Sequence, residues 1–523
     1  MPTFDLLREP WIEVLEVDGS VRSVGIIEAL MDAHKLTALQ DPAPTIQFGL
    51  YRMLVAFVVD AFDLREFSDL ARVLERGQFN GQDLERYADA VGRNRFDLFD
   101  GAHPFLQTPG ASADPENAKS VAQLLFQLPT GTNVVHFNHV QAEEHAFAPA
   151  VCARALCALA PFATSGGRGY SPSINGTPPW YVLVVGGSLF ETLLLNCFMA
   201  SEFEMENGVP LWRDDSAVPP GQVRACRGLL DGLTWPVRTV RLLPGEGGEC
   251  TYSGEHSPVL VREMVYGPGA KTADSHWTDP NVAYRTTDKG PQSIRPREDR
   301  QVWRDTGPLL LLRSADYENE RSHVRFSRPA IINQLRVLQR DLVIAPRATE
   351  VFEVYGIRAD KAKIFEWQYE RLSLPRGIAR NTLAGQQVQE AMDAADLVSY
   401  WLGRAVKRAY PRQGGGNDRA FGRLLQKSLF LYWSSLQTQF DELVMGLAAA
   451  GSDGDGKRAD LVGTWRSSLR SEGLRALRVA IDPLDSDADA LRRQQESLAE
   501  FLRGVSSLLR PAVAGAEEGR DNS

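Results

Sequence analysis

Apolar and polar residues follow two different rhythms along this chain, one for roughly its first 375 residues and another beyond them. WIEVLEVDGSVRSVGI, residues 11–26, alternates around Asp18-Gly19, which predicts a β-hairpin. IQFGLYRMLVAFVVDAF, residues 46–62, is apolar nearly throughout and predicts a buried helix. Residues 70–87 predict an amphipathic helix and residues 146–162 an apolar one, after which WYVLVV opens a strand at Trp180. Between residues 236 and 345, short β-rich runs (VRTVRLL, SPVLVREMVYG, GPLLLL) alternate with proline-punctuated loops. Within that region DPNVAYRTTDKGPQSIRPRED reads as irregular and partly basic. Past about residue 375, strands and prolines become scarce, and helical patterns span roughly 378–411, 417–449, 456–480 and 485–511. Their separators PRQGGGN, GSDGDG and DPLDSD are short enough for antiparallel neighbours. The expectation is an α+β protein: a large mixed α/β domain over 1–375, a C-terminal four-helix bundle over 376–511, and a disordered tail over 512–523.

Composition narrows the class. A chain of 523 residues exceeds the size at which one core stops growing, so two or three domains are expected. No stretch of about 18 uninterrupted apolar residues occurs, which excludes a membrane-spanning helix. The start, MPTFDLLREPW, lacks the apolar core of a signal peptide. The five cysteines form no CxxC pair, which argues against a zinc ribbon or a redox motif and for a reducing cytoplasm. A net charge of −10 argues against a free-standing, non-specific nucleic-acid binder. It is compatible with local contact to nucleic acid where partners supply most of the positive charge.

Four features carry candidate chemistry. HFNHVQAEEH holds His136, His139, Glu143, Glu144 and His145, ligand types for zinc or manganese, but the spacing matches no HExxH-like motif. Polar positions on a loop and helix start are the favoured reading. FATSGGRGYSPSINGTPP, residues 162–179, contains four glycines without matching a phosphate-binding fingerprint. Lys289 in TTDKGP and Lys361 in YGIRADKAKI sit where turns would project them. Between residues 404 and 478 there are 13 Lys or Arg against seven Asp or Glu. Arg404 and Arg408, Arg419, Arg423 and Lys427, and Arg466 and Arg470 each recur at i,i+4 and so share a helix face. Such stripes are either solvated faces or a track for a nucleic-acid backbone. No GxSxG elbow or comparable local catalytic signature occurs, although a triad dispersed along the chain stays open.

FDLLREPWIEV with its DG turn, HPFLQ at residues 103–107, LPTGTNVVHFNH, APFATSGGRGYSPSINGTPPW and HWTDPNVAYR together, in this order, resemble the CasA family. These are the large subunits of the type I-E CRISPR surveillance complex, Cascade. The resemblance covers nearly the whole chain and implies a non-catalytic, cytoplasmic subunit, one copy per complex. The partners implied are the backbone and small subunits, a guide RNA, double-stranded target DNA and a separate helicase-nuclease. The implied task is to recognise the protospacer-adjacent motif and help open the duplex. Carried onto this sequence, Gly166, Gly167 and Gly169 fall in the motif-reading glycine loop. Lys289 falls at the lysine finger, with Arg285 as the alternative and Asp288 in competition for the position. Asp360, Lys361 and Ala362 fall at the strand-separating wedge, where the family pattern has glutamine and this chain has Lys361. Thr130, Gly131, Thr132 and Asn133 match the guide-RNA loop. Of a cysteine cluster present in some relatives only Cys250 is found nearby, so no metal and no cofactor are expected. The competing readings are a metal-dependent nuclease using the cluster from His136 to His145, and a purely structural subunit that touches no bases.

Overall fold

In the computed structural model the apolar run of residues 46–62 becomes helix Pro44–Ala61, buried on all sides from Thr45 to Val59 except at Gln47. A helix apolar around its whole circumference belongs in a core, and three layers meet on this one. The hairpin expected around Asp18-Gly19 forms between Ile12–Glu16 and Val21–Val24, with Ile12 opposite Val24 and Leu15 opposite Val21. Leu36–Leu39 joins it as a third strand. On another side Phe48 stacks on Tyr181 at 4.7 Å and meets Phe162 at 5.8 Å and Tyr355 at 5.3 Å. Those rings bring in helix Leu159–Phe162 and strands Tyr181–Val185 and Thr349–Asp360.

The structure describes residues 2–111, 118–128, 144–166, 169–216, 221–273, 277–288, 290–296, 317–319, 324–341, 343–360, 363–376, 378, 382–410, 419–450, 454–484 and 487–506. The expected tail over 512–523 and the run GPLLLL lie outside them. The chain divides into one unit of residues 1–296, 313–346 and 351–372 and another of 297–312, 347–350 and 373–523.

In the first unit, two long strands, Arg238–Glu249 and His256–Pro268, pair antiparallel, and Ala118–Ser120 adds to the second. Strand Lys363–Pro375 is the outer strand of a sheet ordered Lys363–Pro375, Thr349–Asp360, Tyr181–Val185. Two expectations are corrected here. The single helix over 70–87 is two, Phe67–Arg76 and Gly81–Val91, because Gly77 ends the first at φ 71° and Asn80 caps the second by accepting the Gln82 N–H at 2.8 Å. The segment read as irregular contains a hairpin, Tyr284–Thr287 with Gly290–Ser293, in a sheet with Val324–Ser327 and Tyr317–Asn319.

The second unit carries helices Thr382–Ala409, Arg419–Ser434, Gln437–Ala449, Asp455–Ile481 and Ala488–Val505. The expected helix over 417–449 is thus broken at residues 435–436. Ser434 and Ser435 hydroxyls turn back onto the Leu431 and Tyr432 carbonyls, at 3.3 and 2.9 Å, which loosens the helical ladder there. Polar tips on buried side chains fix helix rotation: Trp465 Nε1 donates to Ala391 O at 2.9 Å and the Tyr432 hydroxyl to Ala395 O at 3.0 Å.

A buried ion pair sits beneath the first unit's loops. Arg52, on the central helix, meets Asp279 at 2.8 Å, with side chains 3% and 0% exposed. Its Nε and Nη2 also donate to the carbonyls of Leu233 (3.0 Å) and Gly232 (3.2 Å). Burial opposes the guanidinium's charge, but Asp279 beside it leaves its pKa above the ordinary value. Removing one member strands the other in a dry core, at a cost of about 3–5 kcal/mol. Asp279→Ala is therefore expected to lower unfolding free energy by about that amount, read from the urea midpoint. A loss below about 1 kcal/mol would contradict the assignment.

Candidate nucleic-acid interface

The glycine loop leaves helix Leu159–Phe162 and returns at strand Tyr181–Val185, so both its ends are held by the core. Gly166 and Gly169 are described and Gly167 is not. Gly169 lies at φ 89°, and a Cβ there would stand 3.3 Å from Cγ of Pro268. The left-handed backbone favours glycine there, and a Cβ would crowd the proline ring. Its backbone is also pinned by a residue that sequence reasoning missed. Arg238, on the first long strand, donates from Nη2 to Thr164 O at 2.5 Å and from Nη1 to Ser171 O at 2.7 Å, clasping both arms of the loop. Its Nε reaches the Tyr266 hydroxyl at 3.2 Å, and its guanidinium lies 5.1 Å from the ring centre of Tyr170. Tyr170 stacks on Tyr266 at 6.1 Å and accepts from Lys119 Nζ at 2.6 Å. Burial pushes the Tyr266 phenol above its ordinary pKa, so this partner is neutral. Among the described residues no carboxylate pairs with Arg238 or Lys119, and their positive charge remains under the loop.

The loop's second arm is tied to the hairpin. Ser173 N–H donates to Ala163 O at 2.8 Å and its hydroxyl to Gly176 O at 2.9 Å, closing a turn around Asn175. The Asn175 amide donates to Asp279 Oδ2 at 2.8 Å and to the Tyr181 hydroxyl at 3.1 Å, and accepts from Trp277 Nε1 at 2.8 Å. Asp279 also accepts from the Asn281 N–H at 3.0 Å, and its own N–H donates to the Tyr284 hydroxyl at 2.9 Å. Tyr284 begins the hairpin, whose Thr287 pairs with Gly290. Lys289 lies outside the described residues. Arg285 points along the hairpin, donating to Gln292 Oε1 at 3.0 Å. Beside it Arg295, a second missed cation, has its pKa lowered by burial and by the charge of Arg285. The network around Asp279 thus links Asn175 of the glycine loop to Tyr284, which precedes Arg285, while Arg238 holds the loop on either side of Gly166 and Gly169.

Lys361 and Ala362 lie outside the described residues, between the strands that end at Asp360 and resume at Lys363. The loop Thr130, Gly131, Thr132 and Asn133 lies outside them too, as do His136, His139 and Glu143. Of the histidine cluster, Glu144 is exposed and His145 sits 6.0 Å from the Phe147 ring. Among the described residues no group of three or more His, Cys, Asp or Glu is placed to hold a metal.

The helical unit sorts its basic stripes. Arg404 pairs with Glu500 at 2.9 Å and Arg408 with Glu496 at 2.8 Å, both across to helix Ala488–Val505. Arg423 and Lys427 are exposed on helix Arg419–Ser434, which contains no Asp or Glu; of Arg419 only the backbone is described. Arg470 is exposed and Arg466 half-buried on helix Asp455–Ile481.

Comparison with known proteins follows the same lines as the geometry. The family model of CRISPR-associated protein Cse1 matches residues 5–476. A CRISPR-associated protein CasA/Cse1 of Thermus thermophilus is 30% identical over 533 aligned positions, covering 97% of this chain and 98% of the relative. The solved structure of Thermus thermophilus CasA (Cse1) is 26% identical with a TM-score of 0.70, covering 96% of this chain and all of that one. A chain of a solved CRISPR RNA-guided surveillance complex shares the fold at 20% identity and a TM-score of 0.73, covering 98% and 100%.

Arg238→Met removes both anchors of the glycine loop while keeping much of the side-chain bulk. With charged hydrogen bonds at about 1.5–3 kcal/mol each, amide exchange over residues 164–171 is expected to rise at least about tenfold. Exchange in strand Tyr181–Val185 should not change. Equal protection of the loop in both proteins would remove Arg238 from this role.

Proposed function

The chain belongs to the CRISPR-associated protein Cse1 family, and from that premise we propose that it is the non-catalytic large subunit of a type I-E-like Cascade surveillance complex. In this reading it recognises the protospacer-adjacent motif in double-stranded DNA, helps open the duplex and recruits a helicase-nuclease. One copy joins the backbone and small subunits in the cytoplasm, with the guide RNA contacted by Thr130, Gly131, Thr132 and Asn133.

The observation that carries the proposal is the tie from Asn175 to Asp279, which links the glycine loop to the segment that enters the hairpin at Tyr284. A minor groove only about 6 Å wide admits bare backbone and slender cationic chains. Gly166, Gly167 and Gly169 supply the first, and Lys289 with Arg285 behind it supplies the second. Because the minor groove distinguishes little beyond A·T from G·C, such a reader tolerates several motifs. Arg238 and Lys119 beneath the loop add positive potential without occupying the groove. Asp360, Lys361 and Ala362, in the sequence between strands Thr349–Asp360 and Lys363–Pro375, are the strand-separating wedge, with Lys361 serving as a phosphate hold where relatives use glutamine. Along the helical unit the flanking DNA follows Arg419, Arg423 and Lys427, with Arg466 and Arg470; Arg404 and Arg408 brace helices through their glutamates. The net charge of −10 fits a subunit that meets DNA only within a larger assembly.

The test is binding of the guide-RNA complex, with and without this chain, to target duplexes with randomised flanking trinucleotides. A flank preference is expected only when the chain is present, and it should weaken in Lys289→Ala. Absence of any preference in both complexes would leave a scaffold and overturn motif reading. In the same assay the double variant Arg423→Glu, Lys427→Glu should reduce the salt slope by about 2 while keeping the preference. An unchanged slope would take this helix out of the DNA path.

A further inference from the structure

Strand Lys363–Pro375 carries Phe365, Trp367 and Tyr369 at every second position, which places their side chains on one face of the sheet. They are 45%, 38% and 43% exposed. On the alternate positions Glu366 is exposed and Gln368 and Glu370 are half-buried. The strand therefore leaves three large rings partly open to water on one face. The strand is the outer one of its sheet, and among the described residues no other strand pairs with its free edge.

The ladder is built to be stiff. At its lower end the Tyr369 ring lies 5.1 Å from Tyr355, and its hydroxyl donates to the buried Glu353 at 3.1 Å. At the upper end the Arg358 guanidinium lies 4.6 Å from the Phe365 ring centre while its Nε donates to Glu366 at 3.2 Å. Arg371 continues the same face, 3.9 Å from Glu353 and with its side chain 58% exposed. Cations thus bracket the three rings.

Spacing identifies what such a face fits. Successive rings two residues apart on a strand stand about 6.6–6.8 Å from one another. A nucleobase in a stack occupies about 3.4 Å, so each interval holds one base between two ring faces. Bases in a duplex hide their faces against each other, and only an unpaired strand can offer them. The ladder begins three residues after Ala362, on the strand that follows the proposed wedge in sequence. We infer that Phe365, Trp367 and Tyr369 form a stacking platform that receives the bases of one separated DNA strand, with Arg358 and Arg371 facing its phosphates. This rests on the duplex-opening role proposed above, and deepens it by giving the opened strand a place to go.

The experiment uses the assembled complex and a target duplex carrying 5-iodouracil at successive positions of either strand beside the motif. Photocrosslinks are mapped by mass spectrometry, and opening is followed in parallel by 2-aminopurine fluorescence. Crosslinks from one strand to Phe365, Trp367 or Tyr369 are expected. Trp367→Ala should reduce the opened population about fivefold to a hundredfold, from stacking of about 1–3 kcal/mol per base, and Trp367→Tyr should restore most of it. Opening without any crosslink to residues 363–371 would overturn the platform and leave duplex opening intact. No opening in any complex containing the chain would overturn the role beneath it. If Trp367→Ala instead abolishes helicase-nuclease binding, and the wild-type ladder gives no crosslinks, the face belongs to a protein partner and the inference fails.

Discussion

The buried pair of Arg52 and Asp279 is the constraint around which the first unit is organised. Two opposite charges with almost no exposure are costly to desolvate, and the cost is offset only where every remaining polar atom finds a partner. Here Arg52 Nη1 is left without a hydrogen-bond partner among the described residues, while the other partners come from distant parts of the chain: the carbonyls of Gly232 and Leu233, the amide of Asn175 and the backbone around Asp279. A pair of this kind adds little net stability over an apolar substitute. What it adds is definition, since a helix, a loop and a hairpin must all be in register before the charges are satisfied. For the proposed entry of this loop into a groove only a few ångströms wide, definition is the property that matters.

Arg238 solves the neighbouring problem by a different route. It is nearly as buried, yet its hydrogen-bond partners are carbonyls and a phenol. Neutral acceptors satisfy the guanidinium's geometry without cancelling its charge. The result is a rigid loop over an uncompensated cation, in a protein whose overall charge is −10. An acidic chain of this size repels nucleic acid at long range. In the proposed reading, a local positive field under the glycines acts only after partners have brought the DNA close, so the same charge distribution that discourages stray binding favours binding within an assembly.

Local signals were legible in the sequence, and long-range ones were not. Alternation about Asp18-Gly19 and the unbroken apolar run before Phe62 each specify their element with no help from elsewhere, and both elements form. The break at Gly77 to Asn80 was also written in the chain, as a left-handed terminator followed by an N-cap, but periodicity carried across it. The hairpin of Tyr284–Thr287 escaped notice because its strands are four residues long and lean on Val324–Ser327, some 40 positions later. Asn175 and Asp279 are 104 residues apart, and nothing in either neighbourhood names the other. A charge inside an apolar run, such as Arg238 in WPVRTVRLL, was the available hint of a buried anchor, although Arg241 in the same run shares it.

The basic stripes of the helical unit show why spacing alone undetermines function. Arg404 with Arg408 and Arg423 with Lys427 have the same i,i+4 repeat, so each pair shares a face and the pattern treats them alike. Their surroundings differ. Helix Ala488–Val505 presents Glu496 and Glu500 to the first pair, at spacing that matches theirs, and the four charges brace two helices. Helix Arg419–Ser434 has no acidic residue of its own, and its exposed cations face water. A charge that a neighbouring helix neutralises contributes to packing; one left in solvent raises the local potential and can exchange its counterions for phosphates. The discriminating quantity is the acid inventory of the helix packed alongside, which is a property of the fold and not of the segment that carries the cations.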